Sequence, residues 1–247
     1  MIYDFLPTFS GAVRKYLRLK INIVMASSKR KKSFEIINQN GKSVPCNVSI
    51  TFVATSHGGP HHHLQESFEE ILEDPRFSQT PIFNWGSGRI FTTSLVKDIV
   101  DDVNSRKEEP QVVCLILGGN NLRDLSRVSP TQPQTPLEVC GLFREVLTQL
   151  STIQKCWVVI VGLIPCENEE CKPRFKETNQ LLLDLSKEFK RMCSYVKTDM
   201  FLSHGRIRKE LFKKNEHPKV HLSLEGAKLL AGLIYSKIKH IPNKNLL

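Results

Sequence analysis

The chain has 247 residues, of which 40% are hydrophobic and 24% are charged, and its formal net charge is +10. This length and composition are typical of a soluble globular protein and predict one domain with a full core. No window contains the roughly 18 uncharged apolar residues that a bilayer-crossing helix needs, so a membrane span is excluded.

The positive charge lies at the two ends of the chain. Residues 1–45 carry a net +7 and residues 46–186 a net −6, whereas residues 187–219 carry +6 and residues 220–247 carry +3. Basic ends of this kind either contact an anionic surface or are simply solvated. We therefore predict nucleic acid contact through Arg14–Lys42, which includes the cluster Lys29–Lys32, and through the basic C-terminal third.

The seven cysteines indicate a reducing compartment. Cys166 and Cys171 flank an acidic loop and allow either a disulfide or a metal pair, but no second Cys/His pair completes a zinc site, so no metal is predicted. The segment Met1–Pro7 lacks the basic and apolar regions of a signal peptide. These features predict an intracellular protein, cytoplasmic or nuclear. Three other cysteines fall inside apolar strand or helix patterns, where cysteine behaves as a small hydrophobic residue: Cys114, Cys140 and Cys156.

Strands and helices are predicted to alternate along the chain. Residues 1–45 form a basic, poorly ordered leader, residues 46–240 the domain, and residues 241–247 a short tail. The predicted strands are Val48–Thr55, Pro81–Trp85, Val112–Leu117, Cys156–Gly162 and Tyr195–Thr198. The predicted helices are Leu64–Glu73, Phe91–Val103, Leu137–Ile153, Phe175–Met192 and Ser223–Ile238. This alternation predicts a five-stranded parallel sheet in a flavodoxin-like, three-layer α/β/α sandwich.

The strand Val112–Leu117 runs directly into Gly118-Gly119-Asn120-Asn121. Its six residues, which are largely β-branched and aliphatic, indicate a strand buried on both faces. Ligands of open parallel sheets bind beyond the carboxyl ends of the strands, which places Asn120 to face a substrate. The alternative is an asparagine that fills a left-handed turn position.

Further polar positions follow other strands or precede the last helix. Ser56 follows the first strand, the Gly86/Gly88 turn follows the second, and His221 stands just before the last helix. Together with Asn120 they are predicted to share one edge of the sheet.

At these residues the chain resembles the SGNH hydrolases, also called GDSL esterases and lipases, over about residues 46–240. The resemblance rests on Gly118-Gly119-Asn120 and on His221-Leu222-Ser223-x-x-Gly226 in the correct order. It implies that Ser56 is the nucleophile and His221 the base. It further implies an oxyanion hole formed by the Ser56 N–H, by Gly88 in preference to Gly86, and by the Asn120 side chain.

The chain departs from this family at two positions. Ala54-Thr55-Ser56 stands where the family has Gly-Asp-Ser, and Pro218 stands where the family has the Asp three residues before the catalytic His. We therefore expect a Ser-His dyad in which a backbone carbonyl replaces the acid. Glu216 is the weaker stand-in, because Pro218 stiffens the chain between it and His221.

Two other polar clusters allow two interpretations each. His57 and His61–His63 form either a metal or anion site at the pocket mouth or a solvated loop, and we predict no metal. The basic run that leads to His221 either attracts an anionic acyl substrate or is the solvent-exposed face of a helix. That run comprises Arg206, Arg208, Lys209, Lys213, Lys214 and Lys219.

Two functions follow from the sequence. The first is a cofactor-free serine esterase or acyl hydrolase that acts on a small acyl ester, with its activity kept, reduced or lost. The second is a catalytically inactive SGNH-like binding module of retrotransposon origin, whose basic leader binds nucleic acid or a partner. The sequence does not predict the oligomeric state.

Overall fold

The computed structural model describes residues 35–37, 43–45, 48–55, 63–71, 77–79, 83–84, 90–107, 110–123, 132–216, 219–239 and 241. The first two strands, β1 (Glu35–Ile37) and β2 (Ser43–Pro45), pair with each other antiparallel. The sequence analysis assigned both segments to the leader and predicted no strand there. The remainder of that leader lies outside the described residues.

The main sheet is parallel and runs through the centre of the domain. Its strands are β3 (Val48–Ala54), β4 (Phe77–Gln79), β5 (Phe83–Asn84), β6 (Gln111–Ile116), β7 (Cys156–Val161) and β8 (Cys193–Val196). The order is β4-β3-β6-β7-β8, and β5 also pairs with β3. All residues of β3 and β6 are buried, because helices cover both faces of the sheet.

In the described part of the chain, five helices cover the sheet. They are α1 (Leu64–Ile71), α2 (Thr93–Ser105), α3 (Pro136–Leu150), α4 (Lys172–Glu188) and α5 (Leu224–Ile238). One buried apolar cluster joins one face of the sheet to α2, α3 and α4, and a second cluster joins the other face to α1 and α5. The domain is therefore the predicted α/β/α sandwich, and none of the described helices is long and apolar enough to cross a membrane.

Side-chain caps determine where several helices begin. The hydroxyl of Thr135 accepts a hydrogen bond from the Glu138 N–H, and the Glu138 carboxylate accepts from the Thr135 N–H at 2.7 Å. This capping box occupies two N–H groups that the first turn of α3 cannot pair internally, and Pro136 fits because its position needs no N–H. Ser223 caps α5 in the same way, as the sequence predicted, by accepting from the Gly226 N–H at 3.2 Å.

The outer edge of the sheet beyond β3 differs from the prediction. Of the predicted strand Pro81–Trp85, the structure has Phe83–Asn84 as β5, and a further short strand, β4, precedes it. Both pair with β3, β4 beside its beginning and β5 beside its end. Three residues such as Phe-Ser-Gln carry too little alternation to predict a strand. At the other end of the domain, Ile241 is buried in the second cluster although the sequence placed it in the tail.

Candidate active site

The chain turns sharply after β6 to place Asn120 at the carboxyl edge of the sheet. Gly118 has φ +92°, and a Cβ on it would lie 2.9 Å from the Val139 Cγ1 atom, so only glycine fits. Asn120 then begins a 3-10 turn, Asn120–Leu122, and is 6% exposed. The left-handed position belongs to Gly118, so the interpretation of Asn120 as a left-handed turn residue is wrong.

Arg123 holds the amide of Asn120. Its Nη1 donates to Asn120 Oδ1 at 3.3 Å, and its guanidinium lies 5.6 Å from the centroid of the Phe175 ring. Since Oδ1 is the acceptor end of the amide, this bond fixes which way the donor end, Nδ2, is turned. Asn120 and Arg123 line a small pocket together with Thr55, the residue directly before Ser56.

The neighbouring Asn121 has a structural role. Its Oδ1 accepts from the Phe91 N–H at 2.9 Å, while its Nδ2 donates to the Phe91 carbonyl at 2.6 Å and to Gln134 Oε1 at 2.5 Å. A buried amide with these partners ties the segment before α2 to the turn that carries Asn120. The two adjacent asparagines therefore do different things.

The imidazole of His221 is paired with a carboxylate. Its Nδ1 is hydrogen-bonded to Glu216 Oε1, and Glu216 Oε2 accepts from the backbone N–H of His221 at 2.7 Å and of Val220 at 3.1 Å. The Nε2 atom on the far side of the ring is buried. This corrects the expectation that Glu216 is a poor stand-in for the missing Asp, because the loop turns its carboxylate back onto the ring.

The pKa of Glu216 lies below its ordinary value. Burial of the carboxyl group acts to raise the pKa, but the hydrogen bonds from the His221 backbone and ring and from the Val220 N–H outweigh it. The group is therefore a carboxylate at neutral pH, and it holds the His221 ring by a hydrogen bond to a charged acceptor.

The loop that carries Glu216 and His221 is closed at its base. Phe212 and Leu222 form an antiparallel bridge, and the Lys213 N–H donates to the His221 carbonyl at 3.0 Å. Lys219 is 5% exposed, and its Nζ donates to the Lys213 carbonyl at 2.7 Å and to the Lys214 carbonyl. The buried side chain of Lys219 thus ties two carbonyls of the loop together by hydrogen bonds.

Gly226 lets helix α5 approach the base of this loop. A Cβ on Gly226 would lie 2.1 Å from the Leu211 carbonyl oxygen, and that same oxygen accepts from the Ser223 N–H at 3.0 Å. The Ser223 hydroxyl also donates to the Glu210 carbonyl at 2.9 Å. The motif residues Ser223 and Gly226 therefore seat the helix directly behind His221.

Contacts between loops connect the two halves of the site. The carbonyl of Lys219 accepts from the Glu167 N–H at 3.0 Å, and the Lys219 N–H donates to Glu167 Oε2 at 3.1 Å, which joins the His221 loop to the loop after β7. Arg174 Nη1 in turn donates to the Leu122 carbonyl at 3.4 Å, which joins α4 to the Asn120 turn. Both halves are thus anchored at the carboxyl edge of the sheet.

The predicted site residues divide by where they fall. Asn120 and His221 are in the described part of the chain: Asn120 begins the turn after β6, and His221 lies in the loop before α5. Ser56, Gly86 and Gly88 lie outside the described residues, as does Pro218. Glu216 is the residue that the sequence analysis undervalued; it is the only carboxylate between Glu210 and Glu225, and that isolation is the signal that points to it.

The remaining polar clusters have simpler roles where the structure describes them. His63 is exposed and lies 3.5 Å from Glu66 at the start of α1, while His57, His61 and His62 are outside the described residues. The basic run forms no long helix: its first part is a hairpin of β9 (Leu202–Ser203) and β10 (Arg206–Ile207). Cys166 and Cys171 are buried free thiols, and the described residues contain no cluster of metal ligands.

Comparison with known proteins finds a likeness in structure only. No family model and no curated protein matches the sequence. Among solved structures, the acetyl xylan esterase AlAXEase has a TM-score of 0.58 and 16% identity, and the match covers 76% of this chain and 99% of that one. A GDSL-like lipase from Bacteroides thetaiotaomicron has a TM-score of 0.59 and 13% identity, with 92% and 98% covered.

A third match is a catalytic mutant of the acetylxylan esterase Axe2 from Geobacillus stearothermophilus, with a TM-score of 0.57 and 12% identity. It covers 77% of this chain and 93% of that chain. The chain therefore has the fold of the SGNH hydrolases, as the motifs implied, and its structural neighbours are esterases and lipases.

Proposed function

We propose that the protein is a serine carboxylic ester hydrolase that works through an acyl-enzyme intermediate on Ser56. The observation that carries the proposal is the hydrogen bond between His221 Nδ1 and Glu216. An imidazole whose Nδ1 is held by a carboxylate presents Nε2 as its proton acceptor, which is the arrangement that serine hydrolases use.

The reaction begins when His221 Nε2 takes the proton of the Ser56 hydroxyl as its oxygen attacks the ester carbonyl carbon. The carbonyl oxygen becomes negative and is stabilised by the Asn120 Nδ2 group and by the backbone N–H groups of Ser56 and Gly88. The imidazolium then gives its proton to the departing alkoxide, which leaves as an alcohol. Glu216 stabilises the imidazolium throughout.

Water completes the cycle. His221 takes a proton from a water molecule as the water attacks the acyl carbonyl. The second tetrahedral species then breaks its bond to Ser56, the imidazolium returns its proton to the Ser56 oxygen, and the carboxylic acid leaves. The structural neighbours that are acetyl xylan esterases support a small acyl group, and p-nitrophenyl acetate is a suitable first substrate.

Labelling by a fluorophosphonate probe tests the proposal, since the probe phosphonylates only activated serines. We expect the parent protein to be labelled and to hydrolyse p-nitrophenyl acetate, Ser56→Ala to lose both, and the control Ser236→Ala, on the exposed face of α5, to keep both. Undiminished labelling of Ser56→Ala would overturn the assignment of the nucleophile.

The alternative, a binding module with a nucleic-acid-binding leader, rests on the charge of residues 1–45. One of its supports, the missing acid beside His221, is weakened by Glu216. The alternative predicts RNA binding that weakens steeply with salt and is lost when residues 1–34 are deleted, together with no probe labelling. Salt-independent binding would count against it.

A further inference from the structure

A second cavity, of about 510 Å³, opens at the carboxyl ends of β7 and β8. It lies between α4 and the segment that follows β8, and its walls include the apolar side chains of Phe175, Leu183 and Leu202. Its size falls in the range of small-molecule sites. It does not include Asn120 or His221, although Leu163 borders both this cavity and the small pocket beside Asn120.

Tyr195 provides a hydroxyl group in this cavity. A Cβ on Gly162 would lie 2.5 Å from the Tyr195 Oη atom, so the glycine is what allows the phenol to lie against the end of β7. Burial and the nearby carboxylate of Asp199 raise the pKa of Tyr195, which keeps the phenol protonated at neutral pH. Within the described part of the chain, this hydroxyl has no hydrogen-bond partner, so it is available to donate to a ligand.

Most other polar side chains of the cavity are already committed to the protein. Asn179 bonds both the N–H of Leu163, at 2.7 Å, and its carbonyl, at 3.3 Å, and Thr198 donates to that carbonyl at 2.9 Å. Gln180 donates to Asp184 at 2.9 Å. These groups shape the cavity and leave ligand contacts to others.

The charged side chains of the cavity favour an anion. Lys172 is paired with Glu169 at 2.5 Å, but Lys176 and Lys197 form no ion pair with any described residue. Asp199 is the one carboxylate in the lining. The lining therefore contains more lysines than carboxylates around an apolar interior.

We propose that this cavity binds an organic monoanion with an apolar body, such as a medium-chain carboxylate. The carboxylate accepts from the Tyr195 hydroxyl and is attracted by Lys176 and Lys197, while the alkyl chain lies against Phe175 and Leu183. The proposal is independent of the esterase function, because the residues that bind the carboxylate, Tyr195, Lys176 and Lys197, take no part in the candidate active site.

Titration calorimetry of the full chain with octanoate, octanol and octyltrimethylammonium tests the proposal. For a ligand of this size we expect one octanoate per chain with a Kd of about 1 mM or tighter. Octanol should bind about tenfold more weakly, because it lacks the charge, and octyltrimethylammonium should not bind. Octanol binding as tightly as octanoate, or no octanoate binding, would overturn the proposal.

Variants locate the binding in this cavity. Tyr195→Phe should weaken octanoate binding about fivefold and Lys176→Gln/Lys197→Gln about tenfold, whereas Asp199→Asn should tighten it about threefold. Lys190→Gln changes an exposed lysine that does not line the cavity and should bind octanoate like the parent. Equal affinities for Tyr195→Phe, the double lysine variant and the parent would show that octanoate binds elsewhere and sink the proposal, whatever the esterase assays give.

Discussion

The two halves of the candidate active site are held in place by different means. The Asn120 half sits on a turn between a buried strand and a 3-10 helix, and its support comes from adjacent motif residues, Gly118 and Asn121. The His221 half sits on a loop, and its support comes from Glu216 and Lys219, neither of which is a motif residue. A sequence motif thus reports how the backbone is shaped, but it does not report every side chain that orients the reacting group.

The largest effect is expected at the His221 half. Glu216→Gln keeps the shape of the side chain but removes its charge, so the His221 ring loses both its orientation and the stabilisation of its protonated form. By analogy with the orienting acid of other serine hydrolases, kcat for p-nitrophenyl acetate should fall about 10⁴-fold.

The control for Glu216→Gln is Glu210→Gln, which changes an exposed carboxylate that is paired with Arg208 at 2.9 Å on the same stretch of chain. It should stay within about twofold of the parent, since an exposed ion pair contributes little. If Glu216→Gln retains kcat within about tenfold, the carboxylate supports the loop and does not stabilise the His221 imidazolium during catalysis.

The next effect is expected at the Asn120 half. Asn120→Ala removes the side-chain donor of the oxyanion hole, so kcat should fall about 10²–10³-fold while KM changes little. Steady-state kinetics together with a thermal melt measures both quantities. A loss of activity that is matched by an equal loss of folded protein would argue for a structural role instead.

Asn121→Ala should show the opposite behaviour. It leaves the Phe91 N–H, the Phe91 carbonyl and Gln134 without their partner, so the free energy of unfolding should drop by about 2–4 kcal/mol, as judged by urea denaturation. The protein that remains folded should keep kcat within a few-fold. We therefore expect substitution of Asn120 to lower activity and substitution of the adjacent Asn121 to lower stability.

The smallest effect concerns pH. The pKa of Glu216 is lower in the folded protein than its ordinary value of about 4.3, so the stability it contributes is fully present above that value and is lost as the pH falls through the folded pKa. Glu216→Gln should lower the free energy of unfolding by about 1–2 kcal/mol at neutral pH. In urea titrations, this difference from the parent should shrink as the pH falls below about 4.3; a constant difference would mean that the charge of Glu216 does not stabilise the fold.

Much of the fold could be predicted from the sequence because its long elements carry strong patterns. Strand β6, with every residue buried, and helix α5, with its Ser223 cap, lie within a residue or so of the prediction. The short strands β1, β2 and β4 could not be predicted, since each has three residues and owes its existence to a pairing partner.

In the candidate site, the residue indicated by local sequence could be predicted, and the residue positioned by contacts across a loop could not. Asn120 follows from a glycine turn after a buried strand, which is local information. The role of Glu216 depends on a loop that is closed by the Phe212–Leu222 bridge and by the buried Lys219, and these are contacts between residues several positions apart. The stiffness expected at Pro218 led us to rank Glu216 below a backbone carbonyl as the partner of His221. That ranking was wrong, because the contacts that close the base of the loop bring Glu216 to the ring.

The location of Glu216 and His221 on one closed loop has a consequence for the evolution of this site. In a triad assembled from separate strands, an altered sheet displaces acid from base, whereas here both are carried by a single segment five residues apart. Insertions within that segment should therefore uncouple the pair. Such modularity makes the segment between Phe212 and Leu222 a natural unit for transplantation into a related scaffold.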